Sequence, residues 1–253
     1  MPDILSGFAD VSLAQLVLVG VVALFASVIG GLAGYGTGAL MPLVLVPIVG
    51  PEPVVPIIAI SSLLTNGGRA TAFAQFLDWR RGCIVLVGAI PPCMLTAYGY
   101  TKLSSAGAML VIGAMLIASV PLRRLLLRHA SGLGDRGLFA AGVGYGAVVG
   151  GTTGAGIILL SLLMATGLTG AAVVATDAAI SIVISLFRVA VFGISGVVSA
   201  QVLAVALLIG LMAFPGAFLA KAFVHRLPIH VHGWILDGVV LLGGATMVFG
   251  ALR

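Results

Sequence analysis

The sequence predicts an all-α polytopic membrane protein made of two inverted-topology repeats, with about eight transmembrane helices plus broken or re-entrant glycine-rich segments. Three observations predict it. Of the 253 residues, 61% are hydrophobic and 8% charged, against roughly 45–50% and roughly 25% in an ordinary globular domain. The apolar residues form long runs, and most basic residues sit in the short gaps between them. The chain also matches itself weakly at a shift of 120 residues. So few charges cannot cover the surface of a soluble protein, and a disordered chain needs the opposite composition. The 36 glycines and 11 prolines follow no G-X-Y period, which excludes a collagen-like chain.

In order, the apolar segments are 11–33, 39–50, 53–77, 83–100, 105–122, 137–151, 157–168, 170–193, 199–224 and 233–252. Most are long enough to cross a hydrocarbon core that asks for about 20 residues per helix. Segments 39–50, 137–151 and 157–168, at roughly 12–15 residues each, read as half-spans or re-entrant pieces. Glycine-rich breaks precede two of them, Gly34-Tyr35-Gly36-Thr37-Gly38 and Gly150-Gly151-Thr152-Thr153-Gly154-Ala155-Gly156. The acidic start, MPDILSGFAD, lacks the basic region of a cleavable signal peptide.

The net charge of +5 marks membrane topology rather than nucleic-acid binding. Arg80, Arg81, Arg123, Arg124, Arg128, Arg136, Lys221 and Arg226 fall on one side if each short piece and its partner make an even number of crossings. The positive-inside rule makes that side cytoplasmic. Both termini are then periplasmic, and the chain is expected to cross its membrane many times.

At the 120-residue shift Ile29-Gly30-Gly31 meets Val149-Gly150-Gly151, and Gly34 and Gly36 meet Gly154 and Gly156. Ala59-Ile60-Ser61 meets Ala179-Ile180-Ser181. With a one-residue gap, Arg69-Ala70-Thr71-Ala72-Phe73 meets Arg188-Val189-Ala190-Val191-Phe192. The predicted division is a first repeat over 1–122, a cytoplasmic basic linker over 123–136 and a second repeat over 137–253. Since the first half crosses an odd number of times, the second runs the opposite way, an architecture typical of secondary transporters.

Broken segments at matching positions of two halves are the best sequence pointer to a transport site. The helix that follows each break presents free N–H groups and about half a positive elementary charge. Two such ends form an anion site, here expected from Gly34, Gly36, Thr37 and Gly38 together with Thr152, Thr153, Gly154 and Gly156, the threonines adding hydroxyl donors. The competing reading is that the glycines only allow close helix packing. Arg69 and Arg188 lie inside spans, where arginine usually faces a cavity or a partner, and guanidinium suits oxyanions. Snorkelling to a span end competes, more strongly for Arg188. Asn66 stands one turn before Arg69 on the same face. Asp177, the most isolated acid within a span, pairs with an arginine, takes up a proton for coupling, or caps a helix.

Other chemistry is not supported. His129, His225, His230 and His232 lie in loops or at span edges, no HExxH occurs, and no metal site is expected. Cys83 and Cys93 read as inert thiols. No GxxxxGK[ST] motif exists for direct ATP drive, and no cofactor is expected.

The first glycine break followed by Leu40-Met41-Pro42-Leu43, then Ile60-Ser61-Ser62-Leu63-Leu64, then Asp78-Trp79-Arg80, resembles the sulfite exporter TauE/SafE family over nearly the whole chain. The Gly150–Gly156 break resembles that family's second repeat, and Thr37 stands where family members often carry a denser glycine run. The resemblance implies an inner-membrane permease moving sulfite, an organosulfonate such as sulfoacetate, or a related small anion, mostly outward. The expected function is therefore a non-enzymatic secondary transporter, working by alternating access. Its partners are the small anion and the lipid bilayer, with no nucleic acid and with a homodimer left open. An anion channel on the same scaffold is the alternative, followed by a membrane assembly factor.

Overall fold

The computed structural model describes residues 4–9, 11–33, 36–129, 132–223 and 229–252. Among these, a short 3-10 helix, Ile4–Phe8, precedes α1 (Leu13–Ala33), α2 (Gly36–Val49), α3 (Val54–Phe73), α4 (Trp79–Tyr100) and α5 (Ser105–His129). Then follow α6 (Asp135–Val149), α7 (Gly156–Ala165), α8 (Gly170–Ile194), α9 (Ala200–Phe223) and α10 (Ile229–Ala251). No strand occurs among the described residues. Three helical stretches, Trp79–Tyr100, Ser105–Leu122 and Gly170–Ile194, are long and apolar enough to cross a bilayer, and five others carry shorter apolar stretches. The chain is a multi-pass α-helical membrane protein.

Local chemistry sets the helix ends. Asp78 caps α4, its carboxylate accepting the Arg81 amide at 2.9 Å and the Arg81 guanidinium at 2.7 Å. The Arg81 amide N–H holds the Asp78 carboxyl below the usual range, with burial opposing. We expect Asp78→Ala to destabilise the start of α4 by about 1 kcal/mol, read as a lower melting temperature, while Asn restores it. Because the folded value is depressed, the cap's pH-dependent stabilisation is present above the unfolded value of about 3.9 and is lost as pH falls below it through the folded value. A melting temperature of Asp78→Ala equal to the parent's at neutral pH would refute the cap. The short α7 is bounded by two glycines in the left-handed region, Gly154 at φ 82° before it and Gly167 at φ 87° after it. A side chain at either would be strained.

The largest departure from the expected boundaries is at the end of α5. The basic stretch expected as a polar loop over 123–136 is helical as far as His129, because α5 continues through Arg123, Arg124 and Arg128. Leucine and arginine are strong helix formers, and no glycine interrupts them before Gly132.

The halves interlock. The main packing pairs are α1 with α9, α4 with α6, α3 with α8, α3 with α9, α4 with α8, and α5 with α10. Exchanging each helix of the first five for the one five places later leaves this set of pairs unchanged. Without a hydrophobic force between helices in lipid, close backbone approach drives association. On α6 and at its C-cap, Gly142, Gly146 and Gly150 recur every four residues against Val85, Ala89 and Cys93 of α4. A Cβ at Gly146 would overlap the Ala89 carbonyl oxygen and sit 2.6 Å from its Cα. Gly113 of α5 and Gly244 of α10 meet in the same way, each against the other's carbonyl oxygen. Two buried apolar clusters result, one mainly from α1–α3, α5, α9 and α10, the other mainly from α4 and α6–α8.

Candidate functional site

Between those clusters lies a cavity of about 120 Å³. An engineered cavity of about 150 Å³ admits benzene, so a small oxyanion fits the space. Two helix faces supply most of its polar wall. On α3 the lining residues are Ile58, Ser62, Thr65, Asn66 and Arg69. On α8 they are Asp177, Ser181, Ile184, Ser185 and Arg188. The spacing is the same on both, one helical stripe read in one register. Where the two stripes meet, the Ser62 and Ser185 hydroxyls share a hydrogen bond of 2.6 Å.

The remaining wall comes from the glycine breaks. Thr37 and Gly38 from the first turn of α2, Thr152 to Ala155 from the second break, and Gly156 from the first turn of α7 all line the cavity. The breaks touch: a Cβ on Gly38 would lie 3.0 Å from the Gly154 nitrogen, so a side chain there would have to push the two apart by a few tenths of an ångström. The start of α7, which has no side-chain cap, therefore borders this space with N–H groups that lack intrahelical partners, and the first described turn of α2 borders it too.

Arg69 Nη2 forms an ion pair of 2.9 Å with Asp177 Oδ2, and Nη1 donates to Asn66 Oδ1 at 3.1 Å. Asn66 in turn donates to the Ser62 carbonyl at 3.0 Å. Arg188 is 4% exposed, so it does not snorkel. Its Nη2 donates to the Thr152 carbonyl at 3.0 Å, and its guanidinium carbon lies 6.0 Å from the Phe192 ring centre. It forms no ion pair among the described residues.

Four buried side-chain atoms have no hydrogen-bond partner among the described residues: Arg69 Nε, Arg188 Nε, Thr153 Oγ1 and Asp177 Oδ1. All four belong to residues that line this cavity. Buried polar atoms are nearly always satisfied, so such a concentration singles out this cavity as the candidate site.

Of the expected site residues, Thr37, Gly38, Asn66, Arg69, Thr152, Thr153, Gly154, Gly156, Asp177 and Arg188 come together here. Gly36 begins α2 beside it, and Gly34 lies outside the described residues. Thr152 departs from the role expected of it. Its hydroxyl donates to the Val148 carbonyl at 2.7 Å, a back-bond that leaves no proton for an anion. The close-packing reading holds for Gly150, which backs onto Cys93 of α4, while Gly154 belongs to the cavity. Sequence reasoning missed Ser62, Ser181, Ser185 and Tyr145. Counting back from each arginine in steps of three or four would have found the serines. Tyr145 carries no such signal.

A family model described as Sulfite exporter TauE/SafE matches residues 19–247. No curated protein and no solved structure matches the chain.

Proposed function

Because the chain belongs to the sulfite exporter TauE/SafE family, we propose that it carries a small sulfur-containing oxyanion, sulfite or an organosulfonate, across a bacterial inner membrane by alternating access. The anion sits in the cavity between α3 and α8. Arg188 supplies the attracting charge, the Thr153 hydroxyl donates, and the first turns of α2 and α7 offer backbone N–H groups. The observation that carries this reading is the cluster of unpartnered buried atoms, three of them donors, around one cavity.

Two repeats of opposite orientation, divided near residues 123–136, account for the exchange of packing pairs and for the shared register of the α3 and α8 stripes. Rocking one bundle against the other around the fixed α3–α8 contact would open the cavity to each side in turn. With both termini periplasmic, outward movement of an anion runs with a potential that is negative inside, worth about 2.3 kcal/mol per charge per 100 mV. No coupling ion is then required.

Thermal shift and liposome flux test this. Hydrogensulfite or a sulfonate at about 100 times its dissociation constant stabilises the folded state by about 2.7 kcal/mol, so the melting temperature rises. Proteoliposomes should show saturable efflux with counterflow. Large unitary currents would favour a channel, and neither binding nor flux of any sulfur oxyanion would overturn the proposal.

A further inference from the structure

We propose that Asp177 sets the charge of the cargo: by engaging Arg69 it leaves Arg188 as the cavity's one uncompensated charge, so the site takes singly charged oxyanions in preference to doubly charged ones. This rests on the anion site proposed above.

The charge count is short. Two guanidinium groups, Arg69 and Arg188, and one carboxylate, Asp177, line the cavity, leaving a net side-chain charge of +1, to which the helix starts add only partial charges. The helix faces that hold them differ at one decisive position. Eleven residues before Arg188 stands Asp177, and eleven residues before Arg69 stands Ile58. Both are buried and both line the cavity. A carboxylate at each position would leave the cavity neutral, and one at neither would leave two free guanidiniums. The chain holds the intermediate case.

A single anionic charge on Arg188 neutralises the space. A second would have only the N–H groups at the helix starts to meet it and no side-chain cation, which is costly in a buried site. It would also face Asp177 Oδ1, a like charge with no donor of its own among the described residues. Like-charge contact is an effective way to reject a competitor of the same shape. Sulfonates and sulfate share the same three-oxygen face, so charge is what separates them. The chemistry selected is that of hydrogensulfite and organosulfonates with no second acidic group, with sulfate, doubly charged sulfite and dianionic sulfonates such as sulfoacetate disfavoured.

The test uses the purified full chain, with methanesulfonate as the singly charged probe and sulfate as the doubly charged one. Binding is read by thermal shift and by equilibrium titration. The unmodified protein is expected to favour methanesulfonate. Asp177→Asn keeps the side-chain shape and frees Arg69. It should move the ratio of the two affinities toward sulfate by at least roughly tenfold, since a unit charge a few ångströms away in such a site is worth more than one decade. The double variant Arg69→Gln with Asp177→Asn restores the +1 count and should keep the parent's ratio. Sulfate binding as tightly as methanesulfonate to the unmodified protein would overturn the proposal, whatever the variants do. So would an unchanged ratio in Asp177→Asn. If both anions bind through Arg188 with equal affinity, the site stands and the charge rule falls. If neither binds, both fall.

Discussion

Arg188→Gln is expected to weaken oxyanion binding by roughly 30-fold or more, the loss that follows from removing about 2 kcal/mol or more of buried charge pairing. The folded yield should not fall. Arg188 is buried and forms no ion pair among the described residues, so the free protein bears its desolvation without a compensating carboxylate. Glutamine is neutral and keeps N–H donors on the same face, although it stops two bonds short of the Arg188 Nη2 that donates to the Thr152 carbonyl at 3.0 Å. A protein that melts at the same or a higher temperature yet no longer responds to hydrogensulfite is the expected outcome. Arg188→Lys keeps the charge but loses the planar fork, and should recover part of the affinity. An unchanged dissociation constant in Arg188→Gln would move the site elsewhere. Arg69 makes a poorer probe. Its removal strands Asp177, 3% exposed, without its cation, a loss of about 3–5 kcal/mol that would lower the folded yield for reasons unrelated to transport.

The second large effect concerns assembly. Gly146→Leu should abolish recovery of monodisperse protein, and even Gly146→Ala should lower the melting temperature sharply. Overpacking a well-packed core costs about 1–3 kcal/mol when flexible side chains can give way. Here the clashing atoms are the Ala89 carbonyl oxygen and Cα, which move only if α4 and α6 separate. That separation would also open the Gly142 and Gly150 contacts on the same stripe. Gly144 is the control, two residues away on the opposite face with nothing within 4 Å of an added Cβ. Gly144→Ala should be neutral or slightly stabilising, since alanine is the better helix former. Size-exclusion profiles and melting curves of the two alanine variants decide the matter, and equal behaviour would refute the stripe as the seam between these helices.

Much of the fold was visible in the chain because membrane helices announce themselves by run length. All ten apolar segments correspond to helices. The ends that differ have local causes that hydropathy does not weigh: the Asp78 cap starts α4 before the apolar run begins, and α5 outlasts its apolar run because arginine continues a helix as well as leucine does. The cavity was partly visible too. Glycine inside an apolar run is costly in a helix, so two glycine breaks and two intramembrane arginines stood out against their background.

Hydropathy, residue spacing and the cost of charge in lipid already dictated a bundle of apolar helices, the glycine-rich stretches that punctuate it, and two arginines within apolar runs. These are properties of single segments, and each is carried by neighbours along the chain. Only the folded arrangement could decide that Asp177 answers Arg69 rather than Arg188, that the Thr152 hydroxyl turns back to Val148, and that Gly146 serves helix contact while Gly154 serves the cavity. Those outcomes depend on which face of α3 crosses α8, and on how closely α4 approaches α6. Both are set by steric fit between surfaces far apart in the chain.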